Sequence, residues 1–259
     1  MIGMFDSGLG GLSIWQAVTR ALPDWPVTYL ADQAYCPYGP RSQVEIAART
    51  LAICRYLADQ GASLIVIACN TATSAGVDHV RAALSIPVVG VEPAIKPAAA
   101  ASRSGRISVL ATEAMLKSRR FESLVRRHAG DVDVLPRPGV GWVEKVEAGD
   151  LTSPDTRRLI SEVVTPLLSE NVDHIVLGCT HYPFLAPLIR EMAGDGIVLD
   201  DPAEAIARRV VTLINGKTPS ATAGAPYRFL TTSGDPHPMA AVLPALIGHR
   251  YAVESRPLP

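Results

Sequence analysis

Two stretches of this chain end in the same way. Leu64-Ile65-Val66-Ile67-Ala68 runs into Cys69-Asn70-Thr71-Ala72-Thr73, and His174-Ile175-Val176-Leu177-Gly178 runs into Cys179-Thr180-His181. Short runs of β-branched and aliphatic residues are the pattern of a parallel strand buried on both faces. Such strands need helical crossovers, so each stretch commits its surroundings to layered α/β structure. Each also delivers a thiol, followed by hydroxyl, amide or imidazole side chains, to its carboxyl end, where ligands sit in open α/β sheets. The expectation is a pocket with one cysteine on each side.

The remaining elements alternate in the same sense. Ile2 to Phe5 reads as a strand, Asp6-Ser7-Gly8-Leu9-Gly10-Gly11 as a glycine turn, and residues 12–22 as a helix. A strand over 26–31 ends at Asp32 and a loop through Cys36-Pro37-Tyr38-Gly39-Pro40. Ser42, with Glu45 three residues on, opens a helix whose apolar face is expected to carry Val44, Ala47, Ala48, Leu51, Cys54 and Leu57. After the first cysteine come a helix over 71–84 and a strand over 87–91. Ser102-Arg103-Ser104-Gly105 marks a first domain crossing. A second cycle follows: a strand over 107–110, one helix over 115–128, a strand over 132–135 stopping before Pro136 and Pro138, and helices over 140–147 and 153–169. Beyond the second cysteine lie a strand over 197–199, a helix over 202–214, a Gly/Pro/Ser/Thr-rich linker over 215–226, a strand over 227–231 and a helix over 238–247. The predicted fold class is α/β, with two pseudosymmetric lobes, each a mostly parallel sheet flanked by helices.

Composition excludes several classes. With 24 Lys and Arg against 25 Asp and Glu, the net charge of -1 offers no basic surface for nucleic acid or anionic membranes. The start of the chain has no basic, apolar leader pattern, and no apolar run is long enough to cross a bilayer, so a cytoplasmic protein is expected. Cys36, Cys54, Cys69 and Cys179 form no C-x-x-C pair and no zinc-type spacing, so they read as reduced thiols with no metal. Cys54, on the helix face, reads as core.

Four strand ends converge on small polar groups: Asp6-Ser7, Cys69-Asn70-Thr71, Thr112 and Cys179-Thr180-His181. Hydroxyls, an amide and turn N–H groups suit a compact ligand bearing carboxylates. Both cysteines are expected near helix N-termini, where the dipole favours thiolate. His181 can relay protons for Cys179, and Asp6 is a candidate partner for the other thiol. Two facing acid/base thiols can invert a carbon that carries an acidic hydrogen, one removing the proton and the other returning it from the opposite face.

Phe5-Asp6-Ser7-Gly8-Leu9-Gly10-Gly11-Leu12-Ser13, Pro37-Tyr38-Gly39, Ala68-Cys69-Asn70-Thr71-Ala72 and Leu177-Gly178-Cys179-Thr180-His181-Tyr182-Pro183 together resemble the signatures of the glutamate racemases, cofactor-independent members of the aspartate/glutamate racemase superfamily. The resemblance covers roughly the first 215 residues. It implies two α/β lobes, 1–97 plus 208–259 and 98–207, with the active site in the cleft between them. It further implies interconversion of L- and D-glutamate for bacterial peptidoglycan, without cofactor or metal. Glutamate is the implied partner, nucleic acid and membrane are not, and a homodimer is compatible with it. The thiol matching Cys69 works on the D-enantiomer and that matching Cys179 on the L-enantiomer, assisted by Asp6, His181 and Glu147. Substrate contacts fall on Ser7, Pro37, Tyr38, Gly39, Asn70, Thr71, Thr112 and Thr180 as well as Asp6. One departure stands out: the family's Gly-Thr-x-x-Thr turn is here Ala111-Thr112-Glu113-Ala114-Met115, so a thioether replaces the second hydroxyl. That keeps open a racemase of aspartate or another amino acid.

Two rival readings are weaker. Gly8-x-Gly10 after a strand and Asp32 after the next imitate a dinucleotide fingerprint, but Ser13 holds the third glycine position and Asp6 would sit beside the pyrophosphate. Redox pairing of Cys69 with Cys179 conflicts with the separation that a substrate between them requires.

Overall fold

The computed structural model describes residues 1–216, 218 and 226–258. The chain divides into two compact units, Met1–Val91 with Ala203–Pro259, and Glu92–Pro202. The first unit opens with β1 (Ile2–Asp6), α1 (Leu12–Ala21), β2 (Val27–Ala31), α2 (Gln43–Asp59), β3 (Leu64–Ile67), α3 (Asn70–Ala83) and β4 (Val88–Gly90). The second holds α4 (Ile95–Ala101), β5 (Arg106–Ala111), α5 (Glu113–Leu116), α6 (Arg119–His128), β6 (Asp133–Pro138), α7 (Trp142–Glu147), α8 (Pro154–Leu167), β7 (His174–Leu177), a 3₁₀ turn (Tyr182–Leu185), α9 (Ala186–Ala193) and β8 (Val198–Asp200). The chain then returns to the first unit with α10 (Ala203–Ile214), β9 (Tyr227–Thr231), α11 (His237–Ile247) and β10 (Val253–Ser255). The expected linker 215–226 falls largely outside the described residues.

Among the described residues every strand pairing is parallel. The first sheet runs β10-β9-β2-β1-β3-β4 and the second β6-β5-β7-β8. Within each sheet, the first four strands in chain order take the same places: second, first, third, fourth. Registers agree as well: Phe5 lies opposite Ile67 and Leu110 opposite Leu177. One residue pair further on, Ala68 N–H donates to Phe5 C=O and Gly178 N–H to Leu110 C=O, both at 2.7 Å. The two cysteines are therefore topologically equivalent, each two residues beyond the third strand. In each sheet the order reverses between first and third strands, and that is the switch point where an α/β sheet opens a crevice.

The cores follow from the strand composition. In the first unit Phe5, Leu30, Ile65 and Ile67 pack with Ile46, Ile53, Cys54 and Leu57 of α2. In the second, Ile107, Val109 and Val176 pack with Ile95, Ala98, Met115, Phe121 and Leu124. Because Ile95 and Ala98 belong to that second core, α4 goes with the second unit. The first crossing falls at Val91/Glu92, ahead of 97/98, and the second at Pro202/Ala203, ahead of 207/208, which leaves α10 whole against α1.

Three local expectations need correcting, and one strand is additional. Ser42 caps α2 by accepting from Glu45 N–H, but the buried face is Ile46, Arg49, Thr50, Ile53, Cys54 and Leu57, while Val44 is 81% exposed. The helix expected over 115–128 is two helices, because the Ser118 hydroxyl accepts from Phe121 N–H and starts α6 afresh. Strand β6 runs through Pro136 and Pro138, which is permitted because it is an edge strand that pairs on one side only. The short strand β10 had no apolar run to announce it.

Candidate active site

Asp6 closes β1 fully buried, and its Oδ2 accepts from Gly8 N–H at 2.9 Å, folding the glycine turn back over the strand end. Gly11 makes this approach feasible: a Cβ there would lie 2.7 Å from Asp6 Cβ and 2.9 Å from the Ala68 carbonyl oxygen. In the second unit the close approach falls at Gly178, which matches Ala68 in register and where a Cβ would meet the Leu110 carbonyl at 3.0 Å. Cys69 is the N-cap of α3, with Ala72 N–H donating to Sγ at 3.5 Å and the thiol donating to Ser7 Oγ at 3.6 Å. Asn70 and Thr71 follow it, both buried. The Asn70 amide donates to the Val91 carbonyl at 3.4 Å, while among the described residues its buried Oδ1 has no donor. Thr73 serves structure instead, donating to Ile67 C=O and accepting from Val91 N–H.

The expectation that the helix terminus favours the Cys69 thiolate is overturned. Burial pushes this thiol well above its ordinary range and the Asp6 carboxylate adds to the effect, against which Ala72 N–H and the Ser7 hydroxyl act only in part. Both effects favour the protonated thiol, a proton donor, at Cys69.

The second unit surrounds its thiol differently. Cys179 Sγ lies 3.7 Å from His181 Nδ1, and His181 Nε2 lies 2.7 Å from Glu147 Oε1 at the end of α7. Burial alone would drive the imidazole neutral, but the Cys179 and Glu147 contacts outweigh it and hold His181 well above its usual 6.5. The result is a thiol–imidazole–carboxylate relay. The register places Ala111 where the first unit has Asp6, so the second unit has no carboxylate at that position and uses His181 and Glu147 in its place. Cys179 leads into a 3₁₀ turn, so no α-helix N-terminus lies directly behind it. Thr180 is buried beside it.

Thr112, the counterpart of Ser7, caps α5 by accepting from Met115 N–H at 3.3 Å. The Met115 side chain is 1% exposed among the apolar residues of the second core, so the departure from the family turn is filled by packing. His174 pairs with Asp200 at 2.7 Å at the start of β7, the end of the strand away from the cysteine.

A group that sequence patterns did not single out supports the Pro37-Tyr38-Gly39 loop. The Tyr38 hydroxyl donates to Asp32 Oδ2 at 2.6 Å. Arg49 grips the same carboxylate with Nε at 2.9 Å and Nη2 at 2.8 Å, and the Thr232 hydroxyl donates to Oδ1 at 2.8 Å. With these donors Asp32 is consumed inside the protein, which removes the ribose-binding acid that the dinucleotide reading required. Arg49 was readable in principle, since the true buried stripe of α2 places an arginine among isoleucines.

Comparison with known proteins agrees with this geometry. The Asp/Glu/Hydantoin racemase family profile matches residues 7–210. The chain is 44% identical over 257 residues to the glutamate racemase of Stutzerimonas stutzeri, covering 99% of this chain and 97% of that protein. Among solved structures it resembles Escherichia coli glutamate racemase in complex with L-glutamate and the activator UDP-MurNAc-ala, with a TM-score of 0.89, 32% identity and coverage of 98% and 97%. It also resembles the Francisella tularensis glutamate racemase in complex with D-glutamate, with a TM-score of 0.83, 26% identity and coverage of 98% and 95%. Because the matched residues span most of the chain and take in both cysteines, the chain belongs to the Asp/Glu/hydantoin racemase family.

Proposed function

We propose that the protein interconverts L- and D-glutamate by two-thiol proton transfer without a cofactor, and that its D-glutamate serves the bacterial cell wall from the cytoplasm. The observation that carries this reading is the topological equivalence of Cys69 and Cys179, each beyond the third strand of its sheet and each with its own proton-handling partner. Relatives of known name act on glutamate, and two of the similar structures hold its two enantiomers.

In the L-to-D direction Cys179, its proton drawn toward His181 and the imidazolium stabilised by Glu147, takes the α-hydrogen as thiolate and becomes a thiol. Cys69, kept protonated by burial and by Asp6, gives its proton to the opposite face of the carbanion and is left as thiolate. The reverse direction runs the same steps backwards. Ser7, Asn70, Thr71, Thr112 and Thr180, with the Pro37-Tyr38-Gly39 loop, bind the amino acid; the buried Asn70 Oδ1 suits its ammonium group.

The test is racemisation of L-glutamate in heavy water, followed by mass spectrometry of each enantiomer, with aspartate in parallel. Deuterium should enter the D-product ahead of the L-substrate pool, and aspartate should exchange far more slowly. Equal early labelling of both enantiomers would remove the two-base mechanism, and faster turnover of aspartate would overturn the choice of substrate.

A further inference from the structure

We infer that Arg49 is a positioning residue of the active site, bracing the Tyr38 loop through Asp32 while fastening the carboxyl-terminal segment of the chain to the same carboxylate cluster. The inference rests on the reading above that Pro37-Tyr38-Gly39 contacts the substrate.

Three observations carry it. First, Arg49 is 6% exposed, and its guanidinium spans two partners from distant parts of the chain. Nε and Nη2 form the bidentate grip on Asp32, while Nη1 donates to the Leu258 carbonyl at 3.0 Å. A planar fork can meet a carboxylate with two N–H groups and still offer a third elsewhere, which the point charge of lysine cannot reproduce. Second, the same segment is fixed along its length: Ser255 Oγ donates to Ser233 C=O at 2.7 Å, Arg256 N–H to Thr231 C=O at 2.7 Å, and Leu258 packs on the core that includes Tyr38. Third, the guanidinium lies 4.1 Å over the Tyr35 ring, and Tyr35 C=O accepts from Arg41 Nε at 2.6 Å, so the residue leading into the loop is tied both to α2 and to its approach.

The consequence is one connected unit: tail carbonyl, Arg49, Asp32, Tyr38. Arg49 itself need not touch the amino acid. Its effect is on where the loop sits when substrate arrives, so its loss should register in KM more than in kcat.

The experiment measures glutamate racemisation for five proteins: wild type, a chain shortened to end at Ser255, Arg49→Lys, Tyr38→Phe and the Arg49→Lys/Tyr38→Phe double variant. Circular dichroism and thermal melts accompany each. The shortened chain and Arg49→Lys should raise KM for glutamate by roughly fivefold or more while kcat changes by less than about threefold, and the double variant should be no worse than the poorer single one, as expected for groups acting through one another. A folded shortened chain with wild-type KM would overturn the inference, and so would fully additive losses in the double variant. If Arg49→Lys does not fold, the shortened chain and Tyr38→Phe still decide. Inactive wild-type protein would count against the proposed function, whereas active wild type with unaffected variants counts against the brace alone.

Discussion

Replacing Glu147 by Gln tests the relay with little change of shape. Glu147 Oε1 lies 2.7 Å from His181 Nε2, with the His181 side chain 3% and the Glu147 side chain 17% exposed, so solvent does little to screen the pair. The amide can still accept a hydrogen bond but brings no charge. A hydrogen bond to a charged group contributes about 1.5–3 kcal/mol, so the His181 imidazolium should become roughly 10- to 100-fold harder to form. kcat/KM should fall by that factor. Enantiomers have equal free energy in water, so the fall must be the same in both directions; only kcat and KM taken singly can differ. The assay is circular dichroism of each enantiomer's decay, with calorimetric melts in parallel. The sign of the stability effect follows from the direction of the His181 shift. His181 is raised in the folded state, so its stabilising contribution is fully present below the unfolded value of 6.5 and fades as pH rises through the folded one. The melting gap between wild type and Glu147→Gln should therefore be widest near pH 6 and narrow on the alkaline side. Retention of kcat/KM within threefold, or a melting gap that widens with pH, would refute the relay.

Two further outcomes are expected. Cys69→Ala and Cys179→Ala should each lower racemisation by several orders of magnitude without loss of fold, measured by activity against circular dichroism. A fully active variant would remove that thiol from the mechanism. Met115→Thr should lower stability by about 2–4 kcal/mol in urea melts, because it removes apolar volume from a closed core, and should leave KM for glutamate unimproved.

The fold was legible wherever a single physical signal dominated. The buried strands before Cys69 and Cys179 have no competing interpretation, and Ser42 and Ser153 mark helix starts by chemistry that the structure repeats. The breaks came where tertiary context decides. Ser118 restarts a helix in the middle of a pattern that is helical on both sides. Pro136 and Pro138 are tolerated only because β6 lies at an edge, a fact of topology. Of the site, Asp6 and Cys69 could be matched by their proximity to strand ends, and His181 by its spacing from Cys179. The Cys69 thiol resisted prediction because dipole and burial oppose each other and only depth decides between them. Arg49 and its bond to Leu258 join residues more than two hundred positions apart, which no local pattern encodes.

The parallel pairing of β2 with β9 sets Tyr29 against Phe229. During synthesis the second unit, residues 92–202, is complete before either β9 or β10 exists. The first sheet meanwhile ends at β2, whose outer row of N–H and C=O groups has no neighbouring strand until residues 227–231 leave the ribosome. A bare, apolar edge of that kind invites pairing with other chains. The nascent protein thus passes through an interval in which its own last strands must outcompete those of its neighbours.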